Sequence, residues 1–225
     1  MLKTDETRDR LLAAALEHVP FDGWSEKALL RAAAECEIEL DAARRAFPRA
    51  AASLIEYHSV SADQRMLEGV DDTTLKGMGV RRRGAAVVRS RLAQSEAERE
   101  AIRAAMAYLA LPHNGLLSLK CLYRTVDAVW FAIGDTSTDF NFYSKRALLA
   151  AAYSATLLYW LDDQSEGREQ SWAFLDRRLN DVVRAGQLSG KLKRILPSAE
   201  LLARMSRNFG GRNFDYFRST RPGRE

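Results

Sequence analysis

Apolar residues recur every three or four positions along most of the chain, and no stretch of β-branched residues alternates convincingly with polar ones. This pattern predicts an all-α protein. Leu11, Leu12, Ala15, Leu16 and Val19 share one face of a first helix, expected to end before Pro20 and the turn at residues 21–24. Ser25 is placed to cap a second helix, because its hydroxyl can accept from a first-turn amide and Glu26 suits the positive end of the helix dipole. Residues 37–47 read as a short third helix closed by Pro48. About six further helices are expected, separated most clearly by the loop-like stretch 71–84 and by the Pro112 and Gly115 break. Beyond that break, three stripes form the walls of one bundle: Leu119, Leu122, Val126, Val129 and Ile133; Phe142, Arg146, Leu149, Tyr153, Thr156 and Trp160; Trp172, Leu175, Leu179 and Val182.

The segment 134–165 changes character partway along. It opens with Asp135, Ser137, Thr138, Asp139, Asn141, Phe142 and Tyr143, then runs from Ala147 to Leu161 without a charge. Thr138 or Asp139 is a natural cap, which places Asn141, Phe142 and Tyr143 in the first turn and Arg146 on the face of Phe142. Aromatic residues beside an arginine suit a protein-binding surface, and the same aromatics also suit anchoring a helix start in the core. The uncharged run is shorter than the roughly 18–20 residues needed to cross a bilayer, so an internal helix is expected. Its small residues, Ala147, Ala150, Ala151, Ala152, Ser154 and Ala155, either let helices approach closely or leave room for an apolar chain. Tyr153, Leu157 and Trp160 would then be walls of a pocket.

Composition narrows the classes. At 225 residues and 47% hydrophobic, the chain can bury a sizeable core as one large domain or one domain with a small module. The net charge of +4 is concentrated: from Arg184 onward ten basic residues face three acidic ones, so the remainder is slightly acidic. Leu188, Leu192, Ile195, Leu202, Met205 and Phe209 recur at helical spacing among those cations, with Pro197 and the Gly210-Gly211 pair interrupting. Such a segment reads either as an amphipathic helix lying on anionic membrane or as a last bundle helix with a solvated basic flank. Cys36 and Cys121 are isolated, which argues against a disulfide framework or zinc site and predicts two buried thiols. His18, His58 and His113 are scattered, no catalytic, phosphate-binding or metal-binding motif occurs, and Asp162 with Asp163 reads as a solvated helix end. A non-enzyme without cofactor or metal is expected, and the polar N-terminus predicts a cytoplasmic protein.

Residues 5–58, a helix followed by a tight two-helix unit ending in Phe47 and Pro48, resemble the DNA-binding head of TetR-type repressors. Where that family carries a turn glycine and a hydroxyl cap, this chain has Glu37 and Glu39. With Glu35 and Asp41 these acids would face DNA phosphates, leaving Arg44 and Arg45 as the only plausible readers, so no specific nucleic acid is expected.

The stretch from Gly134 to Ser165, the later Trp172 to Val182 and the earlier His18 to Leu29 resemble a second family: the lipid-binding accessory family of ubiquinone biosynthesis, the ninth protein of the coenzyme Q set. The resemblance covers most of residues 18–185. It implies a TetR-like fold without a regulator's function, a C-terminal bundle that holds an isoprenoid, quinone or phospholipid, and a patch that engages the di-iron demethoxyubiquinone hydroxylase. The patch would comprise Asp135, Asp139, Asn141, Phe142, Tyr143 and Arg146; Phe142 stands where the family often has tryptophan and lacks its indole donor. The expected lipid-binding residues are Leu122, Val126, Trp130, Leu149, Tyr153, Leu157 and Trp160. Membrane contact would fall to Lys191, Leu192, Lys193, Arg194, Ile195, Leu202, Met205 and Phe209. The expected organisation is a helix-turn-helix-like head at 1–58, a ligand-binding bundle at 59–186 and a basic tail at 187–225. The chain would sit peripherally on the inner face of the cell membrane, with a homodimer expected by analogy. The alternative is a ligand-responsive TetR-type regulator.

Overall fold

The computed structural model describes residues 2–70, 75–134 and 141–192, with side chains described within 5–70, 75–134 and 145–184. Among the described residues there is no strand, and the α-helices are α1 (Leu2–Asp22), α2 (Glu26–Glu35), α3 (Leu40–Ala46), α4 (Ala51–Glu68), α5 (Val80–Ala93), α6 (Arg99–Leu109), α7 (Gly115–Ile133), α8 (Asn141–Asp162) and α9 (Glu169–Leu192). The all-α expectation holds. The chain forms two compact units, each discontinuous in sequence: Met1–Met66 with Arg91–Cys121, and Leu67–Ser90 with the chain from Leu122 onward. This grouping differs from a division at residue 58, and its boundaries at residues 90 and 121 fall inside α5 and α7.

In the first unit, the predicted face of α1 is the buried one. Leu11, Leu12, Ala15 and Val19 pack with Trp24, Leu29, Phe47, Leu54 and Ile55, and with Ala101 and Ala105 of α6. The helix does not stop before Pro20 as expected. Proline lacks only its own amide, whose loss so near the end costs α1 one bond, and termination comes at Gly23. There φ reaches +65° and the Gly23 amide donates to Val19 O at 2.9 Å. Ser25 caps α2 as predicted, accepting from the Ala28 amide at 3.2 Å.

The end of α2 is a Schellman motif. The Ile38 amide donates to Ala33 O at 2.9 Å and the Glu37 amide to Ala34 O at 3.2 Å, which forces Glu37 to φ +55°. That left-handed position favours glycine, and here it holds a glutamate.

Polar groups hold α6 and the start of the 91–121 segment to the turn before α2 and to α4. The Trp24 indole donates to Ala101 O at 2.8 Å, Arg91 Nε donates to Asp63 Oδ1 at 2.7 Å, and His58 Nε2 lies 2.7 Å from Glu98 Oε2. Arg65 Nη2 also donates to both Glu98 oxygens, at 2.9 and 2.8 Å. Burial works against ionisation of Glu98, but the His58 hydrogen bond and the charges of His58 and Arg65 outweigh it and hold this carboxyl below its ordinary range. Cys121 is buried as expected; Cys36 is only half-buried, because it caps α2 at the rim of the unit. Leu119, assigned to the bundle stripe by periodicity, is exposed instead.

In the second unit, α5 has room for a side chain at Gly84: a methyl group there would stand at ordinary contact distance, 3.5 Å from Ile133 Cδ1 and 4.0 Å from Leu179 Cδ1. Arg83 braces the end of α7 by donating from Nη1 to Ile133 O at 3.1 Å and from Nε to Met78 O at 2.8 Å.

Candidate functional site

The second half of α7, from Leu122 to Ile133, and α8 carry the residues expected to contact lipid. Val126, Trp130, Leu149, Tyr153, Leu157 and Trp160 are all buried, and Leu122 is half-buried. Helical spacing of three and four residues gathers them on one face of each helix. Thr156, also fully buried in α8, satisfies its hydroxyl locally by donating to Ala152 O at 2.7 Å, so it adds no polar demand to this face.

The opposite side of α8 is unusual for a surface. Ala147, Ala151 and Leu158 are exposed, with Leu158 at 53%, and the run between Arg146 and Asp162 contains no charge. The exposed side of α9, by contrast, carries Asp176, Arg177 and Asp181. A helix apolar on both sides is normally covered on both.

The start of α8 is fixed by charge. Arg146 is buried, and its Nε and Nη2 both donate to Asp127 Oδ1 of α7, at 3.0 and 2.8 Å. Lys145 Nζ stands 5.9 Å from the ring centroid of Trp130. Of the expected partner patch, therefore, Arg146 is turned into the unit. Asn141, Phe142 and Tyr143 open α8, while Asp135, Asp139 and the expected cap at Thr138 or Asp139 lie outside the described residues. Lys191 and Leu192 close α9; Lys193, Arg194, Ile195, Leu202, Met205 and Phe209 also lie outside.

The far end of α8 holds a group that sequence reasoning misassigned. Asp163 is not a solvated helix end but a buried acceptor. Its Oδ1 receives the Ser165 amide at 2.8 Å and hydroxyl at 2.6 Å, and its Oδ2 receives the Ser171 amide at 2.9 Å and hydroxyl at 2.5 Å. Arg168 donates to the Asp163 carbonyl, and the Trp172 indole donates to Gly167 O at 2.7 Å. Burial would raise the Asp163 carboxyl, but these Ser165 and Ser171 bonds outweigh it and hold it well below the usual carboxylate range. Gly167 and Arg168 adopt left-handed backbone, at φ +58° and +59°, to complete the turn into α9.

Among the described residues, no group of three His, Cys, Asp or Glu side chains is placed to hold a metal ion, and no helix is long and apolar enough to cross a membrane.

These helices, in this order, define a protein with the fold of TetR regulators. A solved structure of a TetR transcriptional regulator from Nitrosomonas europaea superposes with a TM-score of 0.63 at 22% identity, over 80% of this chain and 99% of the other. At that identity the likeness concerns the fold alone. More narrowly, residues 116–186, which span α7, α8 and most of α9, match the COQ9 family model, and the family resemblance read from the sequence is thereby shown. The mitochondrial ubiquinone biosynthesis protein COQ9 of Homo sapiens is 33% identical over 196 residues, 84% of this chain and 61% of that protein. The Rattus norvegicus protein of the same name is also 33% identical, over 84% of this chain and 62% of its own length. A probable ubiquinone biosynthesis protein coq9 of Dictyostelium discoideum is 39% identical over 80 residues, 36% of this chain and 26% of that protein. The chain thus spans less than two thirds of the length of these relatives.

Proposed function

We propose that this chain serves ubiquinone biosynthesis as a lipid-binding accessory protein that presents an isoprenoid or quinone intermediate to the demethoxyubiquinone hydroxylase, without chemistry of its own. The observation that carries this reading is where the family match falls. It covers α7, α8 and α9 to residue 186, the helices that bear the apolar faces of Val126, Trp130, Leu149, Tyr153, Leu157 and Trp160 and the aromatic start at Phe142 and Tyr143. The names of the relatives describe biosynthesis proteins.

In this mechanism the basic tail docks on anionic lipid at the inner face of the cell membrane, and the polyprenyl portion of the ligand replaces water against the apolar faces of α7 and α8. Asp135, Asp139, Asn141, Phe142 and Tyr143 hold the hydroxylase. Arg146 acts behind them, its pair with Asp127 fixing the angle at which α8 begins. The exposed apolar side of α8, with Ala147, Ala151 and Leu158, suits the seam of a homodimer.

The regulator reading has less support. Arg44, which would have to reach DNA, lies 3.1 Å from Glu26 and 3.6 Å from Asp41, and Arg45 lies 4.0 Å from Glu39. Their charges are answered within the head. The deciding experiment is mass spectrometry of lipid extracted from the purified protein beside a Leu157→Trp variant. Stoichiometric isoprenoid or phospholipid in the wild type, diminished in a folded variant, is the expected result; a folded wild type free of lipid would overturn the reading.

A further inference from the structure

We infer that the indole N–H of Trp130 is the polar end of the lipid site and donates a hydrogen bond to an uncharged oxygen on the bound ligand. The inference rests on the lipid-binding reading and adds what that reading leaves open: how an apolar site tells an oxygenated lipid from a plain hydrocarbon.

Trp130 is 7% exposed, yet its Nε1 has no hydrogen-bond acceptor among the described residues. Two other tryptophans of this chain follow the ordinary rule, Trp24 donating to Ala101 O at 2.8 Å and Trp172 to Gly167 O at 2.7 Å. A buried donor left unmet is costly, and such groups in native proteins generally have a partner. The nearest carboxylate along the helix, Asp127, already accepts twice from Arg146 at its Oδ1.

The surroundings define the kind of acceptor. Arg146 has its charge answered by Asp127, so the site does not call for an anion. Lys145 stands over the Trp130 ring at 5.9 Å, and a cation above the ring draws density from the indole and makes its N–H a better donor. This uncharged donor, on a helix that also buries Val126, Val129 and Ile133, matches a molecule with oxygen at one end and hydrocarbon behind it. The carbonyl or alkoxy oxygens of a prenylated benzoquinone fit that description, as does the ester carbonyl of a phospholipid.

The test uses the full chain with nitrogen-15 in its 4 tryptophans, so that each indole gives one resonance, with Trp130 assigned by its loss in Trp130→Phe. Three ligands are titrated: a short-chain prenylated benzoquinone, a short-chain phosphatidylcholine below its micelle concentration, and a branched hydrocarbon of matched length without oxygen. The Trp130 resonance should move with an oxygen-bearing ligand and stay put with the hydrocarbon, and Trp130→Phe should weaken binding of that ligand roughly three- to tenfold while leaving the hydrocarbon within about twofold. Movement with quinone assigns the acceptor to the ring; movement with phosphatidylcholine alone assigns it to the ester. Binding of oxygenated ligand without movement of Trp130, or equal weakening of all ligands by the variant, overturns this inference and leaves the lipid reading standing. Absence of binding by all three to the wild type overturns both. Should Trp130→Phe fold poorly, the Trp130 resonance is assigned instead by triple-resonance and nuclear Overhauser experiments on the wild-type chain, where the movement itself is read.

Discussion

Replacing Asp163 should damage the molecule more than its place at a helix end suggests. Alanine there strands four donors that now lie 2.5–2.9 Å from a buried carboxylate. The two serine hydroxyls can turn elsewhere, and Ser165 Oγ already accepts from the Gln170 amide at 3.2 Å. The Ser165 and Ser171 amides cannot turn, and each unmet buried amide costs about 1–3 kcal/mol. With the lost charge-assisted bonds, Asp163→Ala should cost about 3–5 kcal/mol, a large share of the roughly 5–15 kcal/mol that holds a domain folded. Asp163→Asn keeps one acceptor oxygen and turns an amide toward one donor pair, so about 2 kcal/mol is expected. Guanidinium unfolding followed by circular dichroism at neutral pH measures both. An alanine variant within about 0.5 kcal/mol of wild type would refute the reasoning, because no network of four made bonds can be that cheap to remove. The pH dependence has a definite sign. The folded carboxyl titrates below its unfolded value of about 3.9, so its contribution is complete above that value and is lost as pH falls through the depressed folded one. Wild-type stability should therefore drop in acid below about pH 4, with Glu98 adding to the same slope, and Asp163→Asn should flatten it.

Three further outcomes are expected. Gly84→Ala should stabilise the protein by about 1 kcal/mol, because its methyl meets Ile133 and Leu179 at ordinary contact distance while helix propensity improves; a fall in melting temperature would show that the contact is tighter than described. Glu37→Gly relieves a left-handed glutamate in the Schellman motif and should raise stability by roughly 0.5–1 kcal/mol, read by the same denaturation curves, whereas Glu37→Val should lower it. Removing residues 187–225 should abolish flotation with anionic vesicles and leave the helical circular dichroism of the remainder intact; undiminished flotation would rule out the tail as the membrane contact.

Much of the fold was legible in the sequence because its cues are local. The α1 face, the Ser25 cap and the break at Pro112 depend on residues within two turns of each other. What escaped depends on pairing across distance. Asp127 sits in an apolar stripe as an isolated acid, and only the approach of α8 reveals that it answers Arg146 nineteen positions later. Asp163 reads as one of two surface acids until a left-handed turn brings Ser171 back to it. Leu119 keeps helical register with the buried residues of α7, but register says nothing of where along a helix its neighbours stop. The candidate site was legible as composition, an uncharged run behind aromatics, and as a family wording; the unmet indole donor of Trp130 is invisible without the neighbours that fail to meet it.

The first compact unit is finished by residues 91–121, and this imposes an order on synthesis. Leu11, Leu12, Val19, Leu29 and Phe47 leave the ribosome with one another for company, but Ala101 and Ala105, the acceptor for Trp24 and the carboxylate for His58 are encoded later. At about 5–20 residues per second, the wait from Met66 to Cys121 is on the order of several seconds. During that interval the nascent head presents an open apolar face, a natural substrate for chaperones. Slowing translation between codons 67 and 120 would lengthen that exposure, whereas a pause after Cys121 has cleared the exit tunnel would come too late to matter.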